Sequence, residues 1–139
     1  MREKRNYIFS LSKKDKAFED GKIETAVKWL RNKDERPYLF RNGKPRLLPS
    51  GSSVLFKFQA QIFGQAEVKK PPEELSLEEK RKAGGYKYSM ILNGSSIKIF
   101  PEPYPTQKDV ESEIGKKCGQ LFTILTAVQY QQILKMAGE

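Results

Sequence analysis

Residues 54 to 70 read VLFKFQAQIFGQAEVKK, two runs of β-branched and aromatic residues joined by a short polar link. This pattern commits the chain to an antiparallel sheet before anything else is considered. Ser53 to Phe58 forms one strand after the Pro49-Ser50-Gly51 turn, and Gln61 to Lys69 returns beside it. Gly64 interrupts the returning strand. A glycine weakens a strand, so it marks either a bulge that bends the sheet around a small barrel or a place where another backbone or a ligand comes close.

The remaining segments supply further strands and a few helices. RNYIFSL (Arg5 to Leu11) reads as a strand inside the sheet, ended by SKKDK. In EDGKIETAVKWLRNKDE, Ile23, Ala26, Val27 and Leu30 fall on one helical face, with Trp29 off that stripe. Pro37 ends this helix, and Tyr38 to Phe40 leads into RNGKPR, where Asn42-Gly43 predicts a short hairpin or looped excursion. After Pro71-Pro72, Ser76 and Glu79 have the spacing of a capping box, which predicts a short exposed helix stopped by Gly84 and Gly85. YKYSMIL, the NGSS turn and IKIF predict a second hairpin, and PEPYP breaks the sheet because proline has no ladder donor. A brief helix is expected around Lys108 to Ile114. A last strand follows in QLFTIL, then a helix from Ala127 to Met136 capped by Thr126 and closed by Gly138. Strand, helix, several antiparallel strands and a closing helix predict an α+β fold in which a small curved β-barrel carries flanking helices, one domain over residues 1–139.

Composition narrows the chemistry. With no histidine and one cysteine, Cys118, the chain offers no intramolecular disulfide, no Cys/His zinc pattern and no Ser-His-Asp triad. A reducing, cytoplasmic setting, no metal and no cofactor are the expectation, and no apolar run approaches the roughly 20 residues of a membrane helix. The 26 Lys and Arg against 17 Asp and Glu give a formal charge of +9. Residues 1 to 50 hold 14 basic and 7 acidic side chains, so the excess lies in the N-terminal half. A polyanionic partner is the functional reading of that charge, and a merely soluble surface is the alternative.

The order LPSGSSVLFKF, QIFGQAEVKK, YKYSMIL with a proline-rich follow-up, and GQLFTILTAVQYQQIL resembles the PUA-like superfamily, particularly its EVE, YTH and ASCH branches, from Tyr7 to Leu134. The resemblance implies a small barrel that binds nucleic acid, often holding a modified base in an aromatic-lined pocket between the first strand, the first helix and the barrel wall. It also points to the N-terminal DNA-recognition domains of McrB-type modification-dependent restriction proteins. Such a piece recognises nucleic acid, DNA ahead of RNA, and leaves cutting or processing to a larger complex. Unlike a two-tryptophan cage, this chain has a single tryptophan.

The residues themselves converge on the same region. Lys28, Arg31, Lys33, Arg36, Arg41, Lys44 and Arg46 interleave with Trp29, Tyr38 and Phe40, against only Asp34 and Glu35. Cations give salt-sensitive affinity for phosphates, and an aromatic face stacks a base. The expected nucleic-acid contacts are Lys13, Lys14, Lys28, Trp29, Arg31, Arg36, Tyr38, Arg41, Lys44 and Arg46. The expected base pocket is Tyr7, Ser10, Trp29, Tyr38, Phe40 and Tyr86. The competing reading is catalytic: some ASCH-like proteins are amidohydrolases of acylated nucleosides, and Lys22 with Thr25 in GKIET and Glu67 in GQAEV match their Lys-x-x-Thr and carboxylate. A binding module without catalysis is the favoured reading.

Overall fold

The structure, a computed structural model, describes residues 4–33, 37–40 and 47–138. The elements run β1 (Asn6–Leu11), α1 (Ile23–Arg31), β2 (Pro37–Phe40), β3 (Ser53–Phe58), β4 (Gln61–Glu74), α2 (Leu77–Lys82), β5 (Tyr88–Ile99), α3 (Gln107–Ile114), β6 (Phe122–Leu125) and α4 (Ala127–Met136). The six strands form one mixed sheet in the order β2-β5-β4-β3-β1-β6, antiparallel throughout except where β1 runs parallel to β3. This is a curled half-barrel with flanking helices, the α+β class expected.

Both faces of the central strands are covered, which explains their unbroken apolar runs. Along β1, Tyr7, Phe9 and Leu11 point into the curl, where they meet Phe56 of β3, Tyr38 and Phe40 of β2, and Val27 and Leu30 of α1. Ile8 takes the other face with Leu55 and Ile62, beneath Val110 of α3 and Tyr130 and Ile133 of α4. The side-chain period of two thus divides one strand between two cores. Lys57 follows the same rule. It points to the outer face and is only 5% exposed, donating from Nζ to Gln107 Oε1 at 2.8 Å and to the Cys118 carbonyl.

Helix ends follow local chemistry. Ser76 and Thr126 each close a capping box with Glu79 and Gln129, and Thr106 caps α3 through the Asp109 N–H. α1 stops at Arg31, well before Pro37, which instead opens β2.

Two expectations are corrected. Residues 88–99 are one strand, with no hairpin at NGSS. Between the pairs Glu67↔Asn93 and Gln65↔Lys98 the register shifts, so the NGSS residues bulge out of a continuous ladder. Asn93 Oδ1 accepts from the Ser95 N–H and hydroxyl, while Ser96 Oγ donates to the Asn93 carbonyl and accepts from the Glu67 N–H at 2.7 Å. The polar residues that signal a turn here serve a bulge. Likewise Pro71-Pro72 does not end β4, which continues to Glu74, because the prolines fall in the irregular stretch between Lys70↔Ile91 and Glu73↔Ser89 where ladder donors are not required.

Gly64 now has its reason. It pairs with Phe56 on one side and Ile99 on the other, next to the register shift at Phe56/Lys57. A Cβ there would sit 2.7 Å from Leu30 Cδ2 and 2.9 Å from the Lys98 carbonyl oxygen. The close neighbours are α1 and β5 of the protein itself. Gly64→Ala forces α1 off the sheet or strains β5, and overpacking of this kind costs about 2 kcal/mol. Urea unfolding should show a lower midpoint at unchanged m-value, and an unshifted midpoint would mean that α1 can slide without loss.

Candidate nucleic-acid interface

Among the described residues the sheet curls without closing: β2 and β6 are its two edges and share no ladder. Aromatic rings bridge them instead. Phe9 lies 4.9 Å from Phe122 of β6 and 5.9 Å from Phe40 of β2, and Phe40 and Phe122 are themselves 5.8 Å apart between centroids. Above this aromatic seam opens a cavity of about 310 Å³, within the size range of small-ligand sites. Its walls are Ser10 and Leu11 at the end of β1, Ser12, Lys14 and Asp15 in the following loop, Tyr38, Leu39 and Phe40 of β2, Tyr86, and Leu121 and Phe122.

A second hollow of about 110 Å³ shares Leu11, Asp15, Tyr38, Leu39 and Tyr86, and adds Phe18, Trp29 and Lys33. The two form one groove with Tyr38 and Tyr86 at its middle. Trp29 is half-buried, held edge-on by Phe18 at 5.2 Å, Tyr38 at 5.6 Å and Phe56 at 6.1 Å. Lys33 Nζ stands 4.7 Å over its ring, close enough for a cation–π contact. Burial, then the negative charge of Asp15 and the nearby Tyr86, push the Tyr38 hydroxyl far above the usual phenol range. At neutral pH it is a neutral O–H, able to donate a hydrogen bond.

The sequence-predicted site residues divide into five groups. Ser10, Lys14, Trp29, Tyr38, Phe40 and Tyr86 come together in the groove. Tyr7 does not line the groove: it is 6% exposed in the core and its hydroxyl donates to the Leu47 carbonyl at 2.7 Å. Lys28 and Arg31 are also separate, in another, more open hollow of about 530 Å³ with Glu24, Glu102 and Tyr104. Their i, i+3 spacing sets them on a different side of α1 from Trp29. Lys13 is exposed beside Lys14 but does not line the groove. Arg36, Arg41, Lys44 and Arg46 lie outside the described residues, so among those described the basic set is not one patch. Sequence reasoning missed Asp15, Leu39, Leu121 and Phe122. Phe122 and Leu121 reach the groove because Ser10 fixes their segment: its hydroxyl donates to the Gln120 carbonyl at 2.8 Å and its N–H to the Leu121 carbonyl at 2.9 Å.

The alternative catalytic set lies away from the groove. Thr25 Oγ1 donates to Asp20 Oδ2 at 2.6 Å, and the Lys22 N–H donates to the other oxygen of the same carboxylate at 3.0 Å. These bonds hold the Asp20 carboxyl below its usual range and fix the start of α1. Lys22 and Glu67 are exposed, and neither they nor Thr25 line the groove.

The architecture is the PUA-like fold. Human THYN1, solved in complex with 5-methylcytosine-containing DNA, superposes with a TM-score of 0.67 at 6% identity, over 97% of this chain and 98% of that one. The ASCH protein of Zymomonas mobilis gives 0.63 at 10% identity over 94% of each chain. The YTH domain of Zygosaccharomyces rouxii MRB1, in complex with N6-methyladenosine RNA, gives 0.58 at 12% identity, over 96% and 86%. No protein-family profile and no curated protein sequence matches the chain.

Proposed function

We propose that this chain is a nucleic-acid-binding module that takes a modified base into the groove at the open seam of its half-barrel. The observation that carries this reading is the groove itself, where the half-buried rings of Trp29, Tyr86 and Phe122 stand beside Lys14 and Lys33, over a floor to which the buried Tyr38 and Phe40 contribute. Rings supply stacking at about 1–3 kcal/mol per base, and the lysines supply phosphate attraction. Asp15 accepts a hydrogen bond from an exocyclic amino group or ring N–H, and the Tyr38 O–H donates to a ring nitrogen or carbonyl. Two neighbours of this fold were solved with methylated nucleic acid, which supports the same ligand class. The ASCH neighbour keeps a hydrolase in view, but Thr25, bonded to Asp20 away from the groove, favours binding.

Burial of one methyl group contributes about 0.8 kcal/mol, roughly a fourfold preference. A larger preference needs a cationic base over the rings or steric exclusion of the unmodified one. The test is fluorescence anisotropy with DNA and RNA oligonucleotides, single- and double-stranded, carrying 5-methylcytosine, N6-methyladenine or neither, at low and high salt. One modified strand is expected to bind at least about fourfold more tightly than its unmodified twin, with the preference surviving high salt. Equal affinity for all, vanishing in salt, would reduce the protein to a general polyanion binder. Absence of binding together with hydrolytic release of the acyl group, as a carboxylate, from acylated nucleosides would replace this reading with the hydrolase.

A further inference from the structure

Leu121 stands at the mouth of the groove and is 54% exposed while still lining the larger cavity. Its backbone is not free to swing, because Ser10 in β1 holds the Gln120 and Leu121 carbonyls through the two hydrogen bonds described above. Ile124 of β6 at 42% and Val128 of α4 at 69% are further exposed apolar residues of this C-terminal segment. Lys14 lines the same cavity from the loop after β1. A single exposed leucine is ordinary on a protein surface. A leucine pinned by its backbone at the entrance of a base-sized cavity, with a cation lining that cavity too, has the geometry of a wedge.

A base can enter such a cavity from a duplex only by leaving its stack, and the gap it leaves is unfavourable unless something apolar fills it. We propose that Leu121 is that filler: it enters the stack of double-stranded DNA at the position vacated by the base held in the groove. This rests on the base-reading function proposed above and adds its substrate class, a duplex.

The experiment titrates the full chain with duplexes carrying 5-methylcytosine or N6-methyladenine and with the same modified strands alone. Leu121→Ala is expected to weaken duplex binding by about tenfold more than it weakens single-strand binding, where the side chain still lines the cavity, while Leu121→Met retains both. A 2-aminopurine beside the modified base should brighten when the wild-type protein unstacks it, and stay dim with Leu121→Ala. Equal losses on duplex and single strand, or no loss on the duplex, overturn the wedge. So does a wild-type protein that binds only single strands, although the base-reading function then stands. If neither form of modified strand binds, the base-reading function fails first and the wedge with it.

Discussion

Phe9→Ala is expected to lower the unfolding free energy by about 3–5 kcal/mol, a third or more of the stability of an ordinary domain. Phe9 is fully buried and its ring lies within 6.1 Å of Tyr38 and Phe40 of β2, Phe56 of β3 and Phe122 of β6. Those contacts draw the two edges of the sheet together, where among the described residues no backbone ladder does. Truncation therefore loses the transfer energy of the ring, opens a void, and removes edge-to-face pairs worth about 0.5–1.5 kcal/mol each beyond their area. Phe9→Leu keeps most of the volume and should lose about half as much. Urea unfolding with an unchanged m-value measures both. A loss below about 1 kcal/mol for the alanine variant would show that β2 and β6 are held by something other than this ring.

The parts of the fold that were legible are those with local causes. α1 is written in the spacing of Ile23, Ala26, Val27 and Leu30, α2 in its capping box and α4 in its Thr126 cap. The illegible parts depend on which strand lies alongside. Asn93 to Ser96 carries the same polar signal whether the chain reverses or bulges, and only the length of β4, continuing past Pro71-Pro72, decides for the bulge. Lys57 reads as a solvent-facing residue in an alternating strand, yet α3 covers that face and buries it. Gly64 was open between a bulge, a close backbone approach and a ligand. The structure places a register shift beside it and Leu30 with the Lys98 carbonyl against it.

The candidate site divides the same way. Trp29 and Tyr38 stood out as aromatics among basic residues and Tyr86 as a ring of the expected base pocket, and the fold does bring them together. Tyr7 shares the inward face of β1 with Phe9, so parity along the strand could not separate it from the groove; the Leu47 carbonyl that engages its hydroxyl comes from a segment 40 residues away. Leu121 and Phe122 arrive from more than a hundred residues beyond Ser10, through pairing that no local pattern encodes.

Tyr86→Ala should weaken binding of the preferred modified strand by about 30-fold, the equivalent of about 2 kcal/mol of lost stacking. Tyr86 lines both hollows and is half-buried, and the adjacent Lys87 N–H donates to the Phe40 carbonyl at 2.8 Å, so its backbone is fixed against β2. Losing its ring should therefore leave the sheet in register. Trp29→Ala offers a poorer test, since that ring also packs against Phe18, Tyr38 and Phe56 and its loss destabilises the fold by about 3–5 kcal/mol. Tyr86→Phe distinguishes the two ways tyrosine can act: retained affinity assigns the effect to the ring face, whereas a loss matching that of alanine assigns it to the hydroxyl. If Tyr86→Ala binds as the wild type does while unfolding normally, the base does not lie in the middle of the groove, and the reading of the seam as a base-holding site is wrong.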